Sequence, residues 1–233
     1  MRDAALWAII PAAGAGRRMR SQIPKQYLRL GDRTVIEYTL ARFISHPNID
    51  GIVVAIDAQD TIWPSLAVAS TKPLITVTGG VQRYHSVFNA LRQLAIEALE
   101  QDWVLVHDAV RPCLTRQDLD RLIAALKDDP IGGILATPVR DTLKRGTIDG
   151  RIAETVDRTE LWHALTPQMF RFEVLYTALQ TALTKLDLVT DEASAVERAG
   201  LHPRLVKGQG DNIKITRPED LALAERILAA QAI

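Results

Sequence analysis

The chain has 233 residues, 47% of them apolar and 24% charged, which is ordinary for a globular protein and enough to bury a sizeable core. Lys plus Arg equals Asp plus Glu at 28 each, so the formal net charge is zero and no bulk affinity for nucleic acid or an anionic membrane is expected. One cysteine, Cys113, excludes an internal disulfide and reads as a small, partly buried residue; with no secretory pattern and no apolar run of membrane-spanning length, a cytoplasmic location is expected.

The apolar run Ala5-Leu-Trp-Ala-Ile-Ile10 reads as a buried strand. It feeds Pro11-Ala-Ala-Gly14-Ala-Gly16-Arg17-Arg18-Met19, which closes with Pro24-Lys25-Gln26. Small residues let backbone N–H groups approach a ligand, and successive N–H groups form an anion-binding concavity. Positive charge is concentrated here: Arg17, Arg18, Arg20, Lys25, Arg29 and Arg33 stand against Asp32 alone. That combination suits a polyphosphate. A lone Gly-x-Gly after a strand is a weak signal, and a basic loop is often only a solvated surface. The dinucleotide fingerprint is not met, because Met19 stands where a third small residue belongs, and no Gly-Lys-Ser/Thr follows.

Further along, Thr34 caps a helix predicted to run to about His46, with Val35, Ile36, Leu40, Phe43 and Ile44 on one face. Gly51–Ile56 and Leu74–Thr78 read as the second and third strands, the latter stopped by Gly79-Gly80. A long helix is expected from about Arg83 to Leu99, with Val87, Leu91, Leu94 and Leu99 as its core stripe. Trp103–His107 is the fourth strand, and Thr115 caps the helix that continues to Leu126. Gly132–Pro138 is the fifth strand. Alternation of strands and helices predicts an α/β fold: a Rossmann-like, mostly parallel sheet with crossover helices.

Residues 139–160 break this rhythm. Two alternating segments flank Asp149-Gly150, the strongest short-range hairpin signal. The segment carries few large apolar residues, and an isolated hairpin is marginal in water. It is expected to leave the single domain formed by residues 1–233 as an arm and to pack on a partner subunit; folding back on its own domain is the alternative. Trp162–Gln168 then returns the chain to the sheet. Phe172–Leu183 is an amphipathic helix, and a short helix begins at Thr190-Asp191-Glu192 and ends at Gly200. His202–Lys207 and Asn212–Ile215 read as strands, and Thr216 as the cap of a last helix with Pro218 in its first turn.

Ligands of open α/β sheets bind outside the carboxyl ends of the strands. The polar groups collect at that end: the 11–25 loop, Gly80 with Arg83 and Ser86, Asp108 with Arg111, and later Thr166, Thr190 and Lys214. Asp108 fits a Mg²⁺ bound jointly with phosphates; capping the following turn is the alternative. The five histidines lack paired ligand spacing, and no Gly-x-Ser-x-Gly elbow appears. Cations, backbone donors and one carboxylate suit phosphoryl or nucleotidyl transfer.

The stretches Pro11–Met19, Pro24–Leu28, Val104–Pro112, Ala136–Thr142, Thr155–Arg158, Leu161–Gln168, Thr190–Ala193 and Asp211–Lys214 resemble the 2-C-methyl-D-erythritol 4-phosphate cytidylyltransferase family, over about Ile9 to Leu228. The resemblance implies a homodimeric, Mg²⁺-using enzyme of isoprenoid precursor synthesis. It would join CTP and methylerythritol phosphate into a cytidine diphosphate alcohol, releasing pyrophosphate. By the same resemblance, Arg18 and Lys25 stabilise the transition state and Arg158 and Lys214 position the substrate phosphate. Asp108, Arg111, Thr142, Thr166 and Thr190 contact substrate. Ala12, Ala13, Gly14, Gly80 and Ser86 form the nucleotide pocket, to which Arg83 is added from its place after the third strand. Thr142 and Arg158 lie on the predicted arm and would reach a neighbouring subunit's site. Val81 stands where many relatives carry Asp or a small residue. A pentitol-phosphate cytidylyltransferase, a sugar-1-phosphate nucleotidyltransferase and a non-catalytic nucleotide-binding protein are the competing readings.

Overall fold

The structure is a computed structural model that describes residues 4–14, 23–66, 68–186 and 188–231. Its strands are β1 (Leu6–Pro11), β2 (Arg29–Leu30), β3 (Arg33–Thr34), β4 (Gly51–Ile56), β5 (Leu74–Thr78), β6 (Trp103–Val106), β7 (Gly132–Pro138), β8 (Leu143–Gly146), β9 (Ile152–Val156), β10 (Trp162–Arg171) and β11 (Arg204–Lys207). Its α-helices are α1 (Val35–Ile44), α2 (Arg83–Leu94), α3 (Arg116–Leu126), α4 (Phe172–Thr184), α5 (Glu192–Arg198) and α6 (Pro218–Gln231).

Seven strands form one sheet in the order β11-β7-β10-β6-β1-β4-β5. Six are mutually parallel, and β10 runs antiparallel to both β6 and β7. The central strands β1, β4 and β6 read as continuous apolar runs because helices cover both faces. Leu6, Ala8 and Ile10 of β1 face α1 and α3, whereas Ile9 joins the core shared with α2, α4 and α5. Leu30, Val35, Cys113, Ile215 and Ala224 form a third, smaller core under α6. Cys113 is fully buried, and burial pushes its thiol up to about 11, so it is an unreactive packing residue.

This topology places the ligand site. The chain leaves β1 for β4 and β5 on one side, then crosses to β6 on the other. The crevice beyond the carboxyl ends of β1 and β6 is therefore a topological switch point, where open sheets bind ligands.

Three expectations need correction. The long helix stops at Leu94, five residues early, and Leu99 is 40% exposed rather than core. Residues 212–215 are not a strand, though Ile215 N–H donates to Val110 O. Thr216 does not cap α6; the Asp220 carboxylate accepts from the N–H groups of Thr216 and Arg217, both at 2.8 Å. The segment 162–168 returns the chain to the sheet as expected, beginning a ten-residue antiparallel strand whose register with β7 shifts between Ala164 and Gln168. That bulge turns Thr166 toward the end of β6.

The predicted hairpin exists as β8–β9, a two-stranded sheet separate from the central one. Gly150 takes φ +82° at its tip, a conformation glycine adopts without strain. Ile148 and Ile152 are exposed on it.

Candidate active site

The site is built on three strand ends. After β1, the Ala12 N–H donates to Ala55 O at 2.7 Å, continuing the ladder into the turn at Ala13 and Gly14. Arg17, Arg18 and Arg20, predicted for this loop, lie outside the described residues. The chain re-enters at Lys25–Tyr27, a single 3-10 turn fastened from two sides. Gln26 Nε2 donates to Ala12 O at 2.6 Å, and Tyr27 Oη donates to Asp60 Oδ2 at 2.5 Å. Burial and the Asp60 carboxylate push the Tyr27 phenol far up, so it remains a donor. Lys25 Nζ donates to Ile215 O at 3.3 Å.

After β5, Gly79 and Gly80 pass close to neighbouring walls. A Cβ on Gly79 would lie 2.4 Å from Ala13 Cβ and 2.8 Å from Ser86 Oγ, so only glycine fits. Ser86 Oγ accepts from the Gly80 N–H at 3.0 Å. This locks the glycine pair against the first turn of α2.

After β6 comes Asp108, 6% exposed and surrounded by cations. Its Oδ1 lies 2.8 Å from Arg83 Nε, and its Oδ2 lies 2.9 Å from Lys214 Nζ and 3.4 Å from Arg111 Nε. Burial alone would raise this carboxyl, but the Arg83, Lys214 and Arg111 charges outweigh burial and hold it well below the usual range. The Asp108 side chain therefore serves ion pairs rather than capping the next turn.

Below Asp108 lies a buried polar network. Thr166 Oγ1 accepts from the Asp108 N–H at 3.2 Å and so turns its own hydroxyl toward His107 Nδ1, 2.9 Å away. His107 Nε2 then donates to Arg111 O at 3.0 Å, which leaves one tautomer. Burial lowers His107 to about 4, so the ring is neutral. Arg111 Nη1 donates to Asn212 O and Asn212 Nδ2 to Thr166 O, each at 2.6 Å. The segment before Lys214 is thereby fixed to the sheet.

These walls enclose an open cavity of about 610 Å³ lined by Ala12, Ala13, Gly14, Lys25, Gly80, Arg83, Ser86, Asp108 and Lys214, with Asp57 at the end of β4. A hollow of about 340 Å³ continues from it along Gln26, Asp57 and Asp60. Another hollow, about 510 Å³ between α1 and α6, lies apart from the strand ends and is lined by Tyr38, Arg42 and Glu225. Nine of the predicted site residues thus meet in one cavity. Arg111 and Thr166 sit beneath its floor. Thr142, Arg158 and Thr190 are exposed and outside its lining. Sequence reasoning missed Gln26, Asp57, Glu192 and Asn212 as parts of the architecture. Gln26, Glu192 and Asn212 lie within the stretches Pro24–Leu28, Thr190–Ala193 and Asp211–Lys214; Asp57 carries no signal beyond following a strand.

Among the described residues, no group of three or more His, Cys, Asp or Glu is arranged to hold a metal ion. Two carboxylates line the cavity, Asp108 amid cations and Asp57 at the end of β4. That donor set fits an ion arriving on phosphate oxygens, which Mg²⁺ prefers, rather than a resident metal. No helix among the described residues is long and apolar enough to cross a membrane.

A cavity lined by glycine and by cations, at the switch point of a mostly parallel sheet, belongs to a nucleotidyltransferase fold. The sequence profile of IspD, 2-C-methyl-D-erythritol 4-phosphate cytidylyltransferase, matches residues 6–230, and the chain belongs to that family. The enzyme of that name from Pseudomonas fluorescens strain SBW25 is 56% identical over 218 residues, 93% of each chain. That from Pseudomonas aeruginosa strain PAO1 is 54% identical over 223 residues, 95% of each chain. The crystal structure of the Francisella tularensis enzyme superposes with a TM-score of 0.84 at 36% identity, covering 96% of this chain and 100% of that one. The Thermus thermophilus structure gives 0.77 at 29%, covering 95% and 98%.

Proposed function

We propose that this chain transfers the cytidylyl group of CTP to 2-C-methyl-D-erythritol 4-phosphate, releasing pyrophosphate, in the cytoplasm. The observation that carries the reading is the cavity that Lys25, Lys214 and Arg83 line together with Gly80 and Asp108.

The chemistry follows from charge. A phosphate oxygen of the alcohol phosphate attacks the α-phosphorus of CTP; the bond to the bridging oxygen breaks, and pyrophosphate leaves with the electron pair. A phosphomonoester has a second pKa near 6, so its nucleophile is already largely a dianion at neutral pH and no general base is required. The difficulty is bringing anions together. Lys25, with Arg18, neutralises charge developing on the leaving pyrophosphate, while Lys214, with Arg158, holds the attacking phosphate. Ala12, Ala13, Gly14, Gly80 and Ser86 shape the nucleotide half. Asp108 would hold a divalent cation carried in by the triphosphate, which supplies further charge neutralisation when bound.

Arg158 and Thr142 flank the exposed β8–β9 arm, away from the cavity of their own chain. We read the working unit as a homodimer in which the arm, with exposed Ile148 and Ile152, lies on the partner and completes its site. Pyrophosphate release, measured with CTP against methylerythritol phosphate and ribitol 5-phosphate, tests the assignment. Preference for the pentitol phosphate, or no release with either, overturns it.

A further inference from the structure

Glu192 is a carboxylate with no exposure at all, at the start of a seven-residue helix, where a first-turn acid ordinarily projects into water. Its Oε1 lies 2.7 Å from Arg83 Nη1, and the same guanidinium turns its Nε to Asp108 at 2.8 Å. Arg83 is thus a strut between two carboxylates rather than a free phosphate ligand. Its Nη2 and Glu192 Oε2 are buried without a hydrogen-bond partner, so the strut is held by its two ion pairs alone. Glu192 also ties two halves of the site together. Asp191, beside it, accepts from Gln168 Nε2 at 2.9 Å, and Gln168 Oε1 accepts from the Ala193 N–H at 2.9 Å. The segment carrying Thr190 is therefore fixed to β10 on one side and, through Arg83, to Asp108 on the other.

We infer that Glu192 is a positioning residue for the transfer reaction: it holds Arg83 so that Arg83 holds Asp108 in one orientation at the cavity. The inference rests on the cytidylyl-transfer reading. Because Glu192 touches neither cavity nor solvent, its loss leaves ground-state contacts with both substrates in place and disturbs alignment, which is read in kcat. Glu192→Gln keeps the shape and removes the charge. It is expected to lower kcat about tenfold, the scale of outer-shell positioning residues, with both KM values within about threefold. In an Arg83→Gln background the same change should cost less than about twofold more, because the two residues act as one unit. Equal losses in both backgrounds, an unchanged kcat, or an effect confined to KM overturns the inference. Should Glu192→Gln fail to fold, the apolar pair Arg83→Met with Glu192→Leu restores packing without the charges. That folded variant is expected to be slow, and wild-type turnover in it overturns the inference. A wild-type chain silent with CTP and methylerythritol phosphate overturns the reaction reading itself, whereas an active wild type with an unaffected Glu192→Gln variant overturns only the role of Glu192.

Discussion

Lys214 Nζ rests 2.9 Å from Asp108 Oδ2, so the cation assigned to the substrate phosphate is held by a carboxylate of the same cavity. The two partners are unequal. Lys214 is 37% exposed at its side chain, while Asp108 is 7% exposed and also balances Arg83 and Arg111. Removing Lys214 leaves Asp108 still balanced by two arginines, and a pair whose cation is partly open to solvent contributes on the order of 1 kcal/mol. Removing the Asp108 charge strands three cations around a buried site, a change on the order of 3–5 kcal/mol. Lys214→Ala is therefore expected to melt near the wild-type temperature with turnover down by a hundredfold or so. Asp108→Asn should lose both turnover and several degrees of Tm. Calorimetry beside steady-state rates separates the two; equal melting points for both variants would show that Asp108 does not balance the cluster.

Lys25 is carried by a turn fastened through Gln26 to Ala12 and through Tyr27 to Asp60. Its own ammonium adds one long hydrogen bond, to Ile215 O at 3.3 Å, so the two neighbouring side chains carry most of the fastening. Lys25→Ala should keep nearly full stability while kcat falls about a hundredfold to a thousandfold, the range for losing one stabiliser of developing charge. Wild-type turnover at saturating CTP would remove this lysine from the mechanism. Gln26→Ala should loosen the turn and lower kcat less, while also lowering Tm, because it leaves the Ala12 carbonyl without this buried partner.

His107 links the site to pH through stability. Burial lowers it from 6.5 to about 4. The unfolded chain therefore binds the proton first, and stability falls as pH drops below about 6.5, levelling out below about 4. With those two values the loss by pH 5 is about 2 kcal/mol. The neutral ring also donates to Arg111 O and accepts from Thr166, so protonation breaks the hydrogen bond from Thr166. Thermal melts between pH 7 and 5 should show this decline, and His107→Gln should flatten it while lowering Tm at pH 7. A wild-type Tm independent of pH over that interval would contradict a neutral buried His107.

The parts of the fold legible in the sequence are those whose signal is local. Gly132–Pro138 carries the apolar stretch Ile134-Leu-Ala136 between a glycine pair and a proline, and the strand matches it residue for residue. Thr115 reads as a cap, and its Oγ1 accepts from the Asp118 N–H at 3.1 Å. Errors arise where a distant contact decides. Residues 212–215 have strand composition, but Arg111 takes the Asn212 carbonyl and Ile215 bonds Val110, so no ladder forms. Leu99 continues the apolar spacing of α2, yet the chain turns there and its N–H goes to Asp102 Oδ2. The site was legible as a set of motifs, whereas its internal wiring was not. Nothing local to Arg83 or Glu192 announces that two residues 109 apart in sequence form one ion pair.

The separation of Arg158 from Lys214 offers the sharpest test of a shared site. Lys214 lines the cavity, while Arg158 is exposed beside an arm that forms its own small sheet. If each site takes Lys214 from one chain and Arg158 of the partner subunit, Arg158→Ala and Lys214→Ala homodimers are both impaired at every site. Co-refolding equal amounts of the two variants gives half mixed dimers by random pairing. Each mixed dimer holds one site with both residues intact and one with neither, so activity should return to about a quarter of wild type. Within one chain, by contrast, every site would lack one residue and mixing would restore nothing. Arg158→Ala alone should raise the KM for the alcohol phosphate with the KM for CTP little changed, since the residue is assigned to the attacking phosphate. Recovery on mixing, together with that split, distinguishes an arm that completes a neighbouring site from one that merely joins two independent subunits.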